Sequence, residues 1–158
     1  MTSAKNNSNT SNLTIRSMTA QDIDTVITLE RQIFPDPWPR SAFEDQIEDS
    51  GWYALVAEIG REIIGYACYM IVAHESHLTN VAVIPAFRRK LVAKRLLDTI
   101  LQSVNAAGCE HILLEVRPSN EAAIAFYDKN DFQVLYRRPN YYRSPVEDAL
   151  VMVKKLHS

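Results

Sequence analysis

Hydrophobic positions along the chain change period several times, and each change marks an element. Leu13–Ser17 reads as a short first strand. Ile23, Val26, Ile27 and Ile33 then recur at helical spacing. Thr19 stands before them as an N-cap, with Asp22 three residues on in a capping-box variant, so a helix is predicted to about Phe34. Phe34-Pro-Asp-Pro-Trp-Pro39 interrupts it, because proline fixes φ and removes an N–H donor. A short helix near Arg40–Glu48, acidic on its exposed face, follows. Trp52–Ile59 and Ile63–Val72 are rich in strand-forming residues and meet at Gly60-Arg61, which predicts a hairpin.

Another strand is predicted over Leu78–Val83, beginning near Glu75. The period then returns to helical over Leu91–Ala107. Ala93, Leu96, Leu97, Ile100, Leu101 and Val104 form one stripe, and Gly108 is the stop. His111–Val116 reads as a buried strand and Glu121–Asn130 as a helix capped by Ser119 or Asn120. Phe132–Tyr136 and Ala149–Lys154 are closing strands. The order implies one α/β domain over residues 13–158, with a mixed sheet of six or seven strands covered by helices on both faces.

Composition narrows the class. Polar, Asn- and Ser-rich residues 1–12 read as a disordered tail. The net charge of −2 argues against direct nucleic-acid binding, which needs a basic excess. No run approaches the roughly 20 apolar residues of a membrane span. Cys68 and Cys109 suggest packing residues in a reduced, cytoplasmic protein, with neither a disulfide framework nor a metal cluster.

Three regions can carry chemistry. Arg88, Arg89 and Lys90 crowd the start of the long helix, where unpaired N–H groups and the helix dipole already favour anions. A phosphate-bearing ligand suits that position, and a solvated basic surface is the alternative. Glu115 is a lone carboxylate in an apolar strand, which suits a general base, while an ion pair with Arg117 on the same face is the alternative. Phe126-Tyr127 ends a helix, where an aromatic pair is normally core, although the phenol can also donate a proton.

Together these segments resemble the Gcn5-related N-acetyltransferase (GNAT) superfamily, and within it the ribosomal-protein-alanine N-acetyltransferase group. The resemblance rests on Asn80-Val-Ala-Val83 before the basic loop, Leu114-Glu-Val-Arg-Pro-Ser-Asn120, Ala122-Ala-Ile-Ala-Phe-Tyr127, and Arg137-Arg-Pro-Asn-Tyr-Tyr142 before Glu147-Asp-Ala149. It implies a mostly antiparallel sheet with a splayed central strand pair and acetyl-CoA as co-substrate. Val81, Ala82 and Val83 would hold the acetyl carbonyl and pantetheine arm. Arg88, Arg89, Lys90, Leu91, Val92, Ala93 and Lys94 would form the pyrophosphate loop and first helical turn, and Asn120 would contact CoA. Glu115 would accept a proton and Tyr127 donate one, with no metal. Phe34, Trp38, Tyr141 and Tyr142, the last two on a loop, would wall the acceptor groove.

The implied acceptor is a protein N-terminus, such as the N-terminal alanine of a small-subunit ribosomal protein, and the implied state a monomer or weak dimer. A small-molecule amine or a lysine is an alternative acceptor, and a non-catalytic acyl-CoA-binding module is an alternative of another class. Two positions depart from the family pattern. Leu91 occupies the first glycine of Arg/Gln-x-x-Gly-x-Gly/Ala, and Asp131 a glycine after the tyrosine helix. The Leu91 side chain is expected to join the stripe containing Leu96 and Leu97.

Overall fold

A computed structural model describes residues 12–89 and 91–156. The tail expected over residues 1–12 lies outside them except for Asn12, as does Lys90. Among the described residues there are seven strands: β1 (Leu13–Ser17), β2 (Trp52–Ile59), β3 (Glu62–Val72), β4 (Glu75–Val83), β5 (His111–Val116), β6 (Gln133–Arg143) and β7 (Val146–Lys155). The four α-helices are α1 (Ile23–Ile33), α2 (Arg40–Glu48), α3 (Val92–Ala106) and α4 (Glu121–Lys129). The strands form one sheet in the order β1-β2-β3-β4-β5-β7-β6. The β1–β2, β5–β7 and β6–β7 pairs are antiparallel, and β4–β5 is parallel. The β4–β5 register runs only from Glu75–His111 to His77–Leu113, although β4 continues to Val83 and β5 to Val116.

Two compact units emerge, one of residues up to Tyr69 with Asn80–Gln102, the other of Met70–Thr79 with the chain from Ser103. In the first, Ile23, Val26 and Ile27 of α1 pack with Phe43, Val56, Ile63, Tyr66 and Ala82. The predicted cap forms through a 3₁₀ turn over Ala20–Asp22, with the Asp22 carboxylate accepting from the Thr19 N–H at 2.8 Å. Arg16 then clamps Asp22 at 2.8 Å and Glu58 at 3.0 Å. Gly65 is required by close approach: a Cβ there would lie 2.8 Å from the Ala82 carbonyl oxygen.

In the second unit, Ile112, Leu114 and Val116 of β5 are buried on one face, as the alternation demands. β6 is longer than expected and holds Tyr141 and Tyr142 in the strand rather than on a loop. The turn falls later, at Ser144-Pro145, and β6 tolerates Pro139 because pairing skips from Arg138–Ala149 to Tyr142–Glu147. A proline in such a bulge costs no ladder hydrogen bond.

Candidate active site

In the first unit, the proline-rich link from α1 to α2 is held by a buried carboxylate. Glu30, 2% exposed, accepts from the Trp38 backbone N–H at 3.0 Å, the Tyr66 hydroxyl at 3.0 Å and the Asn80 side-chain amide at 3.0 Å. All three partners are donors, the complement of an ionised carboxylate. Burial, then the nearby Glu30 charge, pushes the Tyr66 phenol far up, so it stays protonated. The expected acceptor walls Phe34 and Trp38 are partly buried against the core, Trp38 lying 5.4 Å from the Phe43 ring. Glu30 thus connects the Trp38 segment with Asn80, the residue that precedes Val81–Val83. Ala82 and Val83 are buried and Val81 is partly exposed.

Beyond Val83 the chain makes a 3₁₀ turn over Pro85–Phe87 and enters the basic loop. Arg88 folds back, its Nε donating to the Val83 carbonyl at 2.9 Å. Arg89 and Leu91 both have left-handed backbones, with φ +64° and +68°. The expectation for Leu91 is corrected: the residue is 71% exposed, and the α3 stripe is begun by buried Val92. A positive φ turns the Cβ away from the helical direction, so the side chain cannot follow the stripe. The Leu91 carbonyl nevertheless accepts from the Arg95 N–H at 3.0 Å and opens the helical ladder. Lys94 pairs with Asp98 one turn on, at 2.9 Å, and Ala93 is partly exposed. Asp131, at the second departed glycine position, also has a positive φ, +71°.

In the second unit, Glu115 points away from the buried face of β5. It does not pair with Arg117. Its Oε1 lies 2.7 Å from His77 Nε2, and Arg117 instead reaches Glu147 at 3.2 Å. The parallel β4–β5 register explains the exchange, because His77 stands opposite Leu113, two residues before Glu115 on the same face. Tyr127 lies edge-on between Phe126 and Phe132, at 5.3 Å and 5.4 Å. Desolvation, then the Tyr142 phenol, raises its pKa, so it keeps its proton. Asn120, not Ser119, caps α4 through Ala123 N–H at 3.1 Å.

The β6–β7 hairpin is tied down by its acidic pair. Asp148 accepts from Arg137 Nε at 2.8 Å and the Asn140 N–H at 2.9 Å. Glu147 accepts from Arg117 and from both the Ser119 N–H and hydroxyl. Arg117 also lies 4.2 Å over the Tyr142 ring, and Arg138 4.7 Å over that of Tyr141. Burial, then the Glu115 charge, raises the Tyr141 phenol, and burial, then the Tyr141 phenol and the Glu115 charge, raises that of Tyr142. Glu30 and His77 were not singled out from the sequence. Glu30 carries the usable signal of a carboxylate within a helical apolar pattern, whereas nothing local marks His77.

The acetyltransferase (GNAT) family model matches residues 23–132. A putative [ribosomal protein bS18]-alanine N-acetyltransferase of Bacillus subtilis is 31% identical over 139 residues, covering 87% of this chain and 92% of the relative. An uncharacterised Mycobacterium leprae protein is 35% identical over 89% of this chain, which spans only 40% of that relative's length. The solved ribosomal-protein-S18-alanine N-acetyltransferase of Escherichia coli superposes with a TM-score of 0.85 at 27% identity, covering 92% of this chain and 95% of the other.

Proposed function

Because the chain belongs to the acetyltransferase (GNAT) family, we propose that it transfers an acetyl group from acetyl-CoA to the α-amino group of a protein N-terminus. The proposed acceptor is the N-terminal alanine of a small-subunit ribosomal protein. The observation that carries this reading is the chain-long similarity to a putative bS18-alanine N-acetyltransferase, with 92% of that relative covered. Arg88 and the left-handed residues Arg89 and Leu91 stand ahead of the α3 N-terminus, a place whose N–H groups and positive charge would suit a pyrophosphate. Val81–Val83 would receive the acetyl carbonyl and pantetheine arm, Asn120 would contact CoA, and Phe34, Trp38, Tyr141 and Tyr142 would contact the acceptor peptide.

An α-amino group has a pKa of about 8, so most of it is protonated and non-nucleophilic at neutral pH. Glu115, directly or through a water, removes that proton. The amine attacks the thioester carbon, backbone N–H groups stabilise the oxyanion, and Tyr127 protonates the departing thiolate. Glu115→Gln should therefore lower turnover most at neutral pH and less at high pH, within the ~10²–10⁴-fold typical of acid–base groups. Tyr127→Phe should slow turnover with little change in acetyl-CoA affinity. The assay is acetylation of a short peptide with a free N-terminal alanine, followed by mass spectrometry. Full activity of both variants at pH 7 refutes the mechanism, and acetylation of polyamines or lysine in preference to the peptide refutes the acceptor.

A further inference from the structure

His77 and Glu115 are separated by 38 residues in sequence, yet their side chains meet at 2.7 Å. A nitrogen and an oxygen that close require a proton between them, since two lone pairs would repel. With Glu115 ionised, that proton sits on Nε2, and neutral imidazole then carries its basic lone pair on Nδ1. The His77 side chain is 33% exposed and that of Glu115 only 13%, so the ring is the more accessible partner. Protonation at Nδ1 gives an imidazolium facing a carboxylate, and the new charge is compensated as it forms.

We propose that His77 is the atom-level proton acceptor of the reaction, with Glu115 as the anion that fixes its tautomer and orientation. This rests on the acetyltransfer reading above and refines its base. The α-ammonium gives one proton to His77 Nδ1, which passes it to water. As the C–N bond forms and the C–S bond breaks, Tyr127 gives its hydroxyl proton to the thiolate. The second proton shed by nitrogen then restores the phenol, so the products are amide, thiol and one released proton.

Other ionisable groups stand on the neighbouring strands. Arg117 is paired with Glu147, and His111 with Glu75 at 3.2 Å. The Tyr141 and Tyr142 phenols, which feel the Glu115 charge, are raised and stay neutral.

The test is kcat/KM against pH, from 5 to 9, for the full chain with acetyl-CoA and an alanine-terminated peptide. The wild type should show an acid limb, as a base that must be unprotonated requires. His77→Gln should lose about 10²-fold or more at pH 7 and lose that limb. Glu115→Gln should keep the limb while lowering the rate, most at neutral pH, because nothing then fixes the ring's tautomer and orientation. His77→Gln activity within about twofold of wild type, or a loss with the limb unmoved, overturns the assignment. If Glu115→Gln alone is inactive in that case, the general-base reading survives with Glu115 as sole acceptor. If Glu115→Gln is fully active, both fall. Should His77→Gln fail to fold, ¹⁵N NMR of the wild-type imidazole decides: the Nε2–H tautomer is expected above the titration, and an Nδ1–H tautomer overturns the proposal.

Discussion

Replacing Leu91 by glycine should leave stability nearly unchanged even though it deletes a large apolar side chain. The leucine has φ +68°, and a left-handed backbone costs an L-residue about 1–2 kcal/mol through the clash of Cβ with the following carbonyl. Glycine escapes that cost but adds about 0.4–1 kcal/mol of unfolded-state freedom. Full burial of a leucine stabilises by about 1.5–3 kcal/mol, and with the residue 71% exposed less than a third of that is at stake. Leu91→Ala isolates the backbone, because alanine loses the same side chain and keeps the Cβ. The glycine variant should exceed the alanine variant by about 0.5–1 kcal/mol, or roughly 1–4 °C in Tm for a domain of this size. Thermal and urea unfolding of the three proteins supply the comparison. Calorimetry with acetyl-CoA extends it: glycine should tighten binding and reduce its salt sensitivity, since less would depend on charges screened beyond about 8 Å. An alanine variant as stable as the glycine variant would refute the strain argument, and equal or weaker cofactor affinity would refute its functional half.

Three further outcomes follow from packing and charge. Gly65→Ala places a Cβ 2.8 Å from the Ala82 carbonyl oxygen, so backbone must move at about 1–3 kcal/mol; an unchanged Tm would show that the strands yield freely. Glu30→Gln leaves a buried donor facing a donor in the Trp38–Tyr66–Asn80 cluster, and urea unfolding should show a loss of about 1–3 kcal/mol. Asp22 is held below its ordinary pKa by hydrogen bonding to Arg16. Its contribution is complete above the unfolded value of about 3.9 and is lost as pH falls through the lower folded value. The wild type should therefore lose its advantage over Asp22→Asn across that acid range when Tm is followed from pH 7 to pH 2; a constant difference would refute the assignment.

The elements themselves were legible in the sequence because helical and strand periods are enforced by local backbone ladders. β1 over Leu13–Ser17, β2 over Trp52–Ile59 and α2 over Arg40–Glu48 carry the limits read from the chain. The motifs from Asn80 to Ala149 also sufficed to indicate the family, since loop chemistry there is concentrated in short runs. What the sequence could not determine is which side chains those elements bring together. Arg117, two residues from Glu115 on the same strand face, was the local choice of partner. The parallel pairing of β4 with β5 brings in His77 from 38 residues away, while Glu147 occupies Arg117 from 30 residues away. Glu30 similarly meets Tyr66 and Asn80 across 36 and 50 residues. The backbone at Leu91 belongs to the same class. A leucine prefers helical φ when its neighbours leave it free, and here the route from β4 into α3 holds it at +68° with its side chain in solvent. Local sequence sets the period of each element, but partners and strained dihedrals depend on contacts between distant segments, which exist only once the chain has folded.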